Sequence, residues 1–175
     1  MEANNKAEPG IPQCGSRYNL QEFPVKIKTI VNEPDKANPS FGVSIVAWSF
    51  DSKLLATCEG SMPNCLWIWD METMELESLL IQYNSIKSAA WSPNSLLLAL
   101  CTGTGQVFFW SKQGALVCTL SLEAKDFSTQ KLQWAPNGKS LVIVDRARLT
   151  VGYPEFADQE SASALMHEDK LEEDN

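Results

Sequence analysis

The chain has 175 residues, 44% of them apolar, and a formal net charge of −8, values that fit a globular protein with one ordinary core. No run of eighteen apolar residues could span a bilayer, and Met1 to Pro12 holds no apolar stretch of a secretory signal. Eight acids and one lysine lie between Glu155 and Asn175, leaving 13 basic against 14 acidic side chains in the preceding 154 residues. A nucleic-acid footprint needs a concentrated basic face, and this balance excludes one.

In chain order, residues 1–19 are polar and read as disordered. Phe23 to Val31 alternates, with Val25, Ile27, Thr29 and Val31 on one face and Lys26 and Lys28 on the other, and predicts an amphipathic outer strand. Asn32 to Phe41 carries Pro34, Asn38 and Pro39 and is a linker, so residues 20–41 form one outer strand and linker unit. Beyond it, Trp48, Trp91 and Trp134 stand 43 residues apart. Each opens nearly the same phrase: Trp48-Ser-Phe-Asp-Ser-Lys-Leu-Leu-Ala-Thr-Cys58, Trp91-Ser-Pro-Asn-Ser-Leu-Leu-Leu-Ala-Leu-Cys101 and Trp134-Ala-Pro-Asn-Gly-Lys-Ser-Leu-Val-Ile-Val144. A fixed period in the low forties marks a modular repeat architecture.

The first repeat predicts strands at Val43–Ser49, Leu54–Cys58, Cys65–Trp69 and Leu76–Gln82. In the second they fall at Ile86–Ser92, Leu96–Cys101, Gln106–Trp110 and Ala115–Leu120. The third has Thr129–Trp134, Ser140–Val144 and Leu149–Tyr153 with no clear fourth. Short strands separated by Asn, Asp, Ser, Gly and Pro imply antiparallel meanders. Their cores are apolar on both faces, so each sheet needs a cover on both sides, which stacked neighbours would supply. The expectation is an all-β, partial β-propeller of about three four-stranded blades at 43–82, 86–122 and 128–156, the last incomplete, followed by an acidic disordered tail at 157–175.

Candidate chemistry is sparse. The one histidine, His167, lies in the acidic tail, so no catalytic, cofactor-binding or metal site is predicted. The five cysteines form no Cys-x-x-Cys pair and read as reduced thiols, with Cys58 and Cys101 at equivalent places as small buried hydrophobes. Gly103-Thr-Gly105 precedes a strand rather than a helix and is a hairpin turn, not a phosphate loop. Asp51, Asp70 and Asp145 read as lone carboxylates in solvated or capping roles. Lys26 with Lys28 and Arg146 with Arg148 have strand spacing, as solvent-facing strand edges would. Trp67 and Trp69 share a strand face opposite Ile68 and read as core aromatics rather than an exposed platform.

Leu66-Trp-Ile-Trp-Asp70, which ends a third strand, and the Trp-Ser-Pro-Asn turn resemble the WD-repeat family. The stretch from Pro34 to Asp70, with its Met62-Pro63-Asn64 insertion, resembles the closing blades of a centrosomal and spindle-pole branch of that family, and the likeness extends more weakly to Phe156. It implies that Trp48, Trp69, Asp70, Trp91, Trp110 and Trp134 define the repeats, and that the chain is a C-terminal part of a longer propeller. It further implies a non-enzymatic cytoplasmic scaffold that anchors microtubules and organises the spindle, with protein partners such as a coiled-coil microtubule-anchoring protein. No cofactor, nucleic acid, membrane or small-molecule substrate is implied. Met62, Pro63 and Asn64 are the expected partner contact. The sequence departs from the family pattern at Phe-Phe-Trp110-Ser and Val-Gly-Tyr153, and no Gly-His dipeptide precedes a blade, so the blades must rest on apolar packing. The rival reading is a WD-repeat adaptor of another assembly, such as a ubiquitin ligase receptor or a translation initiation factor.

Overall fold

The inner edge of each repeat begins with a strand that ends on the recurring tryptophan, and successive strands fold back beside it. The computed structural model describes residues 18–21, 24–27, 29–30, 42–120 and 127–154. Blade 1 is an antiparallel meander of β1 (Val43–Trp48), β2 (Leu54–Glu59), β3 (Cys65–Asp70) and β4 (Glu75–Ile81). Blade 2 repeats it with β5 (Ser88–Trp91), β6 (Leu98–Cys101), β7 (Gln106–Ser111) and β8 (Gly114–Thr119). Blade 3 has β9 (Lys131–Trp134), β10 (Leu141–Val144) and β11 (Leu149–Gly152), three strands among the described residues. The all-β propeller segment read from the repeats is therefore the fold.

The turns explain why the phrase repeats. In each blade the residue after the tryptophan donates its N–H across the first turn: Ser49 to Leu54 O at 2.9 Å, Ser92 to Leu97 O at 2.8 Å and Ala135 to Ser140 O at 2.9 Å. Inside the turn an Asp or Asn caps the chain, with Lys53 N donating to Asp51 Oδ1 at 3.1 Å and Lys139 N to Asn137 Oδ1 at 3.0 Å. Short side chains that accept from a backbone two residues on are what a turn of this kind selects. Gly138 adopts φ +66, and Ser52, at the same repeat position in blade 1, adopts φ 60.

Strand alternation gives each blade two faces. Ala47, Ala56, Ile68 and Cys58 of blade 1 meet Trp91, Leu98, Leu100 and Trp110 of blade 2 in one apolar cluster. On the opposite face of blade 2, Ala99, Cys101, Val107 and Phe109 meet Leu132, Trp134, Leu141 and Ile143 of blade 3 in a second. The innermost strands β1, β5 and β9 lie side by side in that order. Cys58 and Cys101 are wholly buried in these clusters as small hydrophobes, and burial pushes the Cys101 thiol up to about 12. Each fully buried leucine or isoleucine here contributes about 1.5–3 kcal/mol.

Several expectations need correction. The alternating stretch Phe23 to Val31 forms no strand among its described residues: Val25 and Ile27 are half-buried and Lys26 is exposed, but the one backbone bond is Ile30 N to Ser61 O at 2.7 Å. Alternation sorts side chains between two sides without requiring a paired neighbour. Arg146 and Arg148 lie in the β10–β11 turn, not on a strand edge. Asp145 is not a lone carboxylate: Arg148 Nη2 meets its Oδ2 at 2.9 Å, and Arg146 N donates to its Oδ1 at 2.6 Å. The N-terminal stretch 1–19 reads as disordered, yet its last two residues, Tyr18 and Asn19, line a cavity beside blade 2, with the Tyr18 ring against Phe108. Residues 1–17, the linker at 32–41 and the acidic tail with His167 lie outside the described residues.

Candidate protein-interaction surface

The tryptophan of each later blade is pinned to the blade before it. Trp91 Nε1 donates to Ala47 O and Trp134 Nε1 to Ala90 O, both at 3.0 Å. Each acceptor is the residue just before the preceding blade's own tryptophan. The rings pack edge-on against a partner from the third strand, Trp91 against Trp110 at 6.0 Å and Trp134 against Phe109 at 6.3 Å. Trp91 and Trp134 are each 8% exposed, whereas Trp48 is 50% exposed. Trp48 therefore stands on an open face of blade 1, in register with Leu55, Trp69 and Leu76, while Val46 stands in register with Thr57, Trp67 and Leu79.

Trp67 and Trp69 correct the core reading. They share a face, as the alternation requires, and Ile68 on the other face is fully buried, but the two indoles are half-buried on the open side. They stack at 6.1 Å with planes 13° apart, and Trp69 Nε1 donates to Thr57 Oγ1 at 3.0 Å. With Val43, Glu59 and Met62 they line a cleft of ≈ 310 Å³. An amphipathic indole platform beside one carboxylate is well suited to an apolar or aromatic side chain that carries a donor.

The Met62-Pro63-Asn64 bulge divides in two. Met62 reaches the cleft. Pro63 and Asn64 are tied to the connection leading into blade 2: Ile86 N donates to Pro63 O at 2.7 Å, Gln82 N to Asn64 O at 2.8 Å, and Asn64 Nδ2 to Gln82 O at 3.2 Å. Asp70 ends β3 by accepting from Glu72 N at 2.9 Å and Thr73 N at 3.2 Å. These donors, with Lys112 of blade 2 at 3.5 Å, hold its carboxyl below the usual carboxylate range. Asp70 thus closes a turn and helps hold blade 2. Among the described residues no three His, Cys, Asp or Glu side chains gather as a metal would require.

Sequence reasoning missed a second cavity of ≈ 500 Å³, at the seam of blades 1 and 2. Phe108 stands there at the place of Trp67, and Thr102 at the place of Glu59. Tyr18, from the segment before blade 1, enters this seam. Its ring meets Phe108 edge-on at 6.0 Å, and its hydroxyl is bonded to the Gln82 side-chain amide. Burial pushes the Tyr18 hydroxyl up to about 12. No sequence signal marked this contact, because Tyr18 sits in a polar stretch without periodicity.

A family model described as eukaryotic translation initiation factor eIF2A matches residues 21–152. The mouse (Mus musculus) WD repeat-containing protein WRAP73 is 36% identical over 73 residues, a stretch covering 42% of this chain and 16% of the relative. A chain in a crystal structure of the mitotic checkpoint complex superposes with a TM-score of 0.52 at 21% identity, over 68% of this chain and 40% of the other. The match to that structure shows the fold alone, and this chain spans well under half the length of either relative.

Proposed function

The chain belongs to the eukaryotic translation initiation factor eIF2A family and is a WD-repeat protein, and from that membership we propose that it is a non-enzymatic scaffold that docks protein segments on its blades. WD-repeat membership supports a protein-interaction role. The observation that carries the reading is the Trp67–Trp69 cleft beside Met62, set on sheets pinned by repeated indole-to-carbonyl bonds. Its blade 2 counterpart already holds an aromatic ring from a non-repeat segment, that of Tyr18. The cleft then takes an aromatic or long apolar anchor from an extended partner segment, with Glu59 receiving a donor or cation at its rim. Rigid walls keep the ordering cost of such docking low. Of the bulge, Met62 makes the partner contact, and Pro63 and Asn64 hold it in place.

The finer reading puts this scaffold at the centrosome or spindle pole, where it anchors microtubules and works with a coiled-coil anchoring protein. The likeness of Pro34 to Asp70 to the centrosomal branch supports it. The match across residues 21–152 favours a second reading, an adaptor in translation initiation. Tagged chain recovered from dividing cells separates them. Microtubule-anchoring coiled-coil proteins, lost on Trp67→Ala, are the expected result. Initiation factors or ribosomal proteins would move the function to the second reading, and partner recovery unchanged by Trp67→Ala and Met62→Ala would overturn the cleft.

A further inference from the structure

The seam between blades 1 and 2 is a seat made by the blades themselves. Gln82 is buried there, and Asn64 brackets its backbone, with Gln82 N donating to Asn64 O at 2.8 Å and Asn64 Nδ2 to Gln82 O at 3.2 Å. Phe108 stands in the ladder between Leu100 and Val117. Tyr18 occupies this seat only in part. Its ring meets Phe108 and its hydroxyl the Gln82 amide, but Asn19, Leu20 and Gln21 beside it are exposed. Among the described residues of 18–30 the one backbone bond is Ile30 N to Ser61 O, so no ladder ties Tyr18 in place. A volume of ≈ 500 Å³ stays open beside the ring. None of its lining side chains carries a charge: Gln82, Asn84 and Thr104 stand among Ile81, Phe108 and Val117. Tyr83 borders it with a side chain that is 99% exposed.

We propose that this seam is a second docking site, for an extended partner segment in which a tyrosine is followed by uncharged residues, and that Tyr18 fills it when no such segment is bound. The chemistry of the occupant follows from the seat. Phe108 packs against an aromatic ring, and the Gln82 amide N–H needs an acceptor, which a phenol supplies and a phenylalanine does not. A charged side chain would lose water in the seam and meet no counter-ion among the lining groups, so the residues after the ring are neutral. Asn84 and Thr104 offer donors and acceptors to the backbone of such a segment, as recognition of an extended chain requires. Tyr18 is tethered to the same chain, so it competes at high effective concentration and a partner must displace it. The seam shares no lining residue with the Trp67–Trp69 cleft. It therefore goes beyond the docking at that cleft and does not depend on it.

A fluorescein-labelled peptide of residues 16–30 is the probe, titrated by anisotropy into wild type and Tyr18→Ala. The variant alters a side chain outside the repeats and should keep its far-UV dichroism. It should bind the peptide saturably, and wild type at least about 10-fold more weakly, because its own tyrosine holds the seat. Phenylalanine in place of the peptide's tyrosine should weaken binding to Tyr18→Ala by about 3- to 10-fold, the worth of one neutral hydrogen bond. Adding Gln82→Leu to that chain should cost the tyrosine peptide the same factor and leave the phenylalanine peptide unchanged, a coupling that a general loss of structure does not produce. Absence of binding to Tyr18→Ala, equal binding to both chains, or a phenylalanine peptide that binds as well as the tyrosine one would overturn the proposal. Adding Trp67→Ala to Tyr18→Ala should leave peptide binding intact, and its loss there would move the peptide to the cleft and overturn the seam. Partner recovery through the cleft is thus read apart from peptide binding at the seam.

Discussion

Blade 2 and blade 1 share a topology, a turn and a tryptophan position, yet they differ in what lies beside them. Blade 2 is enclosed by apolar side chains on both faces, and all four residues of β6 are buried. Among the described residues, blade 1 is enclosed on one face only, and its first strand keeps Val46 and Trp48 exposed. A propeller residue is buried by the neighbouring blade rather than by its own sheet, so equal sequence positions carry unequal energies.

Truncating the same tryptophan in both blades is the sharpest way to break that comparison. Trp91→Ala removes an edge-packed indole and its bond to Ala47 O, and should cost about 3–5 kcal/mol in urea unfolding. Trp48→Ala should cost below about 1 kcal/mol, because Trp48 is half exposed and a surface change creates no cavity. Equal losses would mean that blade 1's face is covered within the chain.

The turns offer a second pair. Gly138 has φ +66, and a Cβ there would collide with the Asn94 side chain, whose Nδ2 donates to Asn137 O at 3.0 Å. Gly138→Ala should therefore lose about 1–3 kcal/mol, from backbone strain and a broken blade 2 to blade 3 contact. Ser52 holds the same left-handed conformation without being glycine. Ser52→Gly should raise the urea midpoint, a gain of about 0.5–1 kcal/mol.

Between those sizes falls Thr129. It occupies in blade 3 the place that Ile86 holds in blade 2, and it is fully buried, with Oγ1 lacking a hydrogen-bond partner among the described residues. Thr129→Val removes an unmet polar group at nearly constant shape and should gain about 1 kcal/mol in thermal unfolding. A loss would show that the hydroxyl is satisfied in solution.

The smallest effect is a pH dependence. Asp70's carboxyl is held low by the Glu72 and Thr73 N–H groups and by Lys112. A lowered folded value adds stability above the ordinary carboxylate range, and that stability fades as pH falls through the folded value. Wild type and Asp70→Asn should therefore differ at neutral pH and converge in acid, as read from urea midpoints across a pH series.

Much of the fold was legible because the 43-residue period carries the turn chemistry with it: a tryptophan, a small residue, then Asp or Asn recurs wherever β1, β5 or β9 ends. Strand faces followed from period-two alternation, which correctly set Ile68 against Trp67 and Trp69. Other features were not legible. Alternation from Val25 to Ile27 described half-burial but no ladder, since a strand exists only when another backbone pairs with it. The Asp145–Arg148 pair was hidden by reading Arg146 and Arg148 as strand residues, when a turn folds them back on the carboxylate. The cleft was missed because two tryptophans on a strand look like core whenever both sides are assumed covered.

The sequence alone determined the blade period, the turns that close each repeat and the side of each strand to which a residue belongs, because these depend on local backbone chemistry. Only the tertiary structure decided that Trp91 and Trp134 are interior while Trp48 is surface, that Met62 faces a cleft while Pro63 and Asn64 serve the next blade, and that Tyr18 fills a seam. Each of those outcomes depends on which surface stacks against the residue, and stacking joins blades 43 residues apart through contacts that no local pattern encodes.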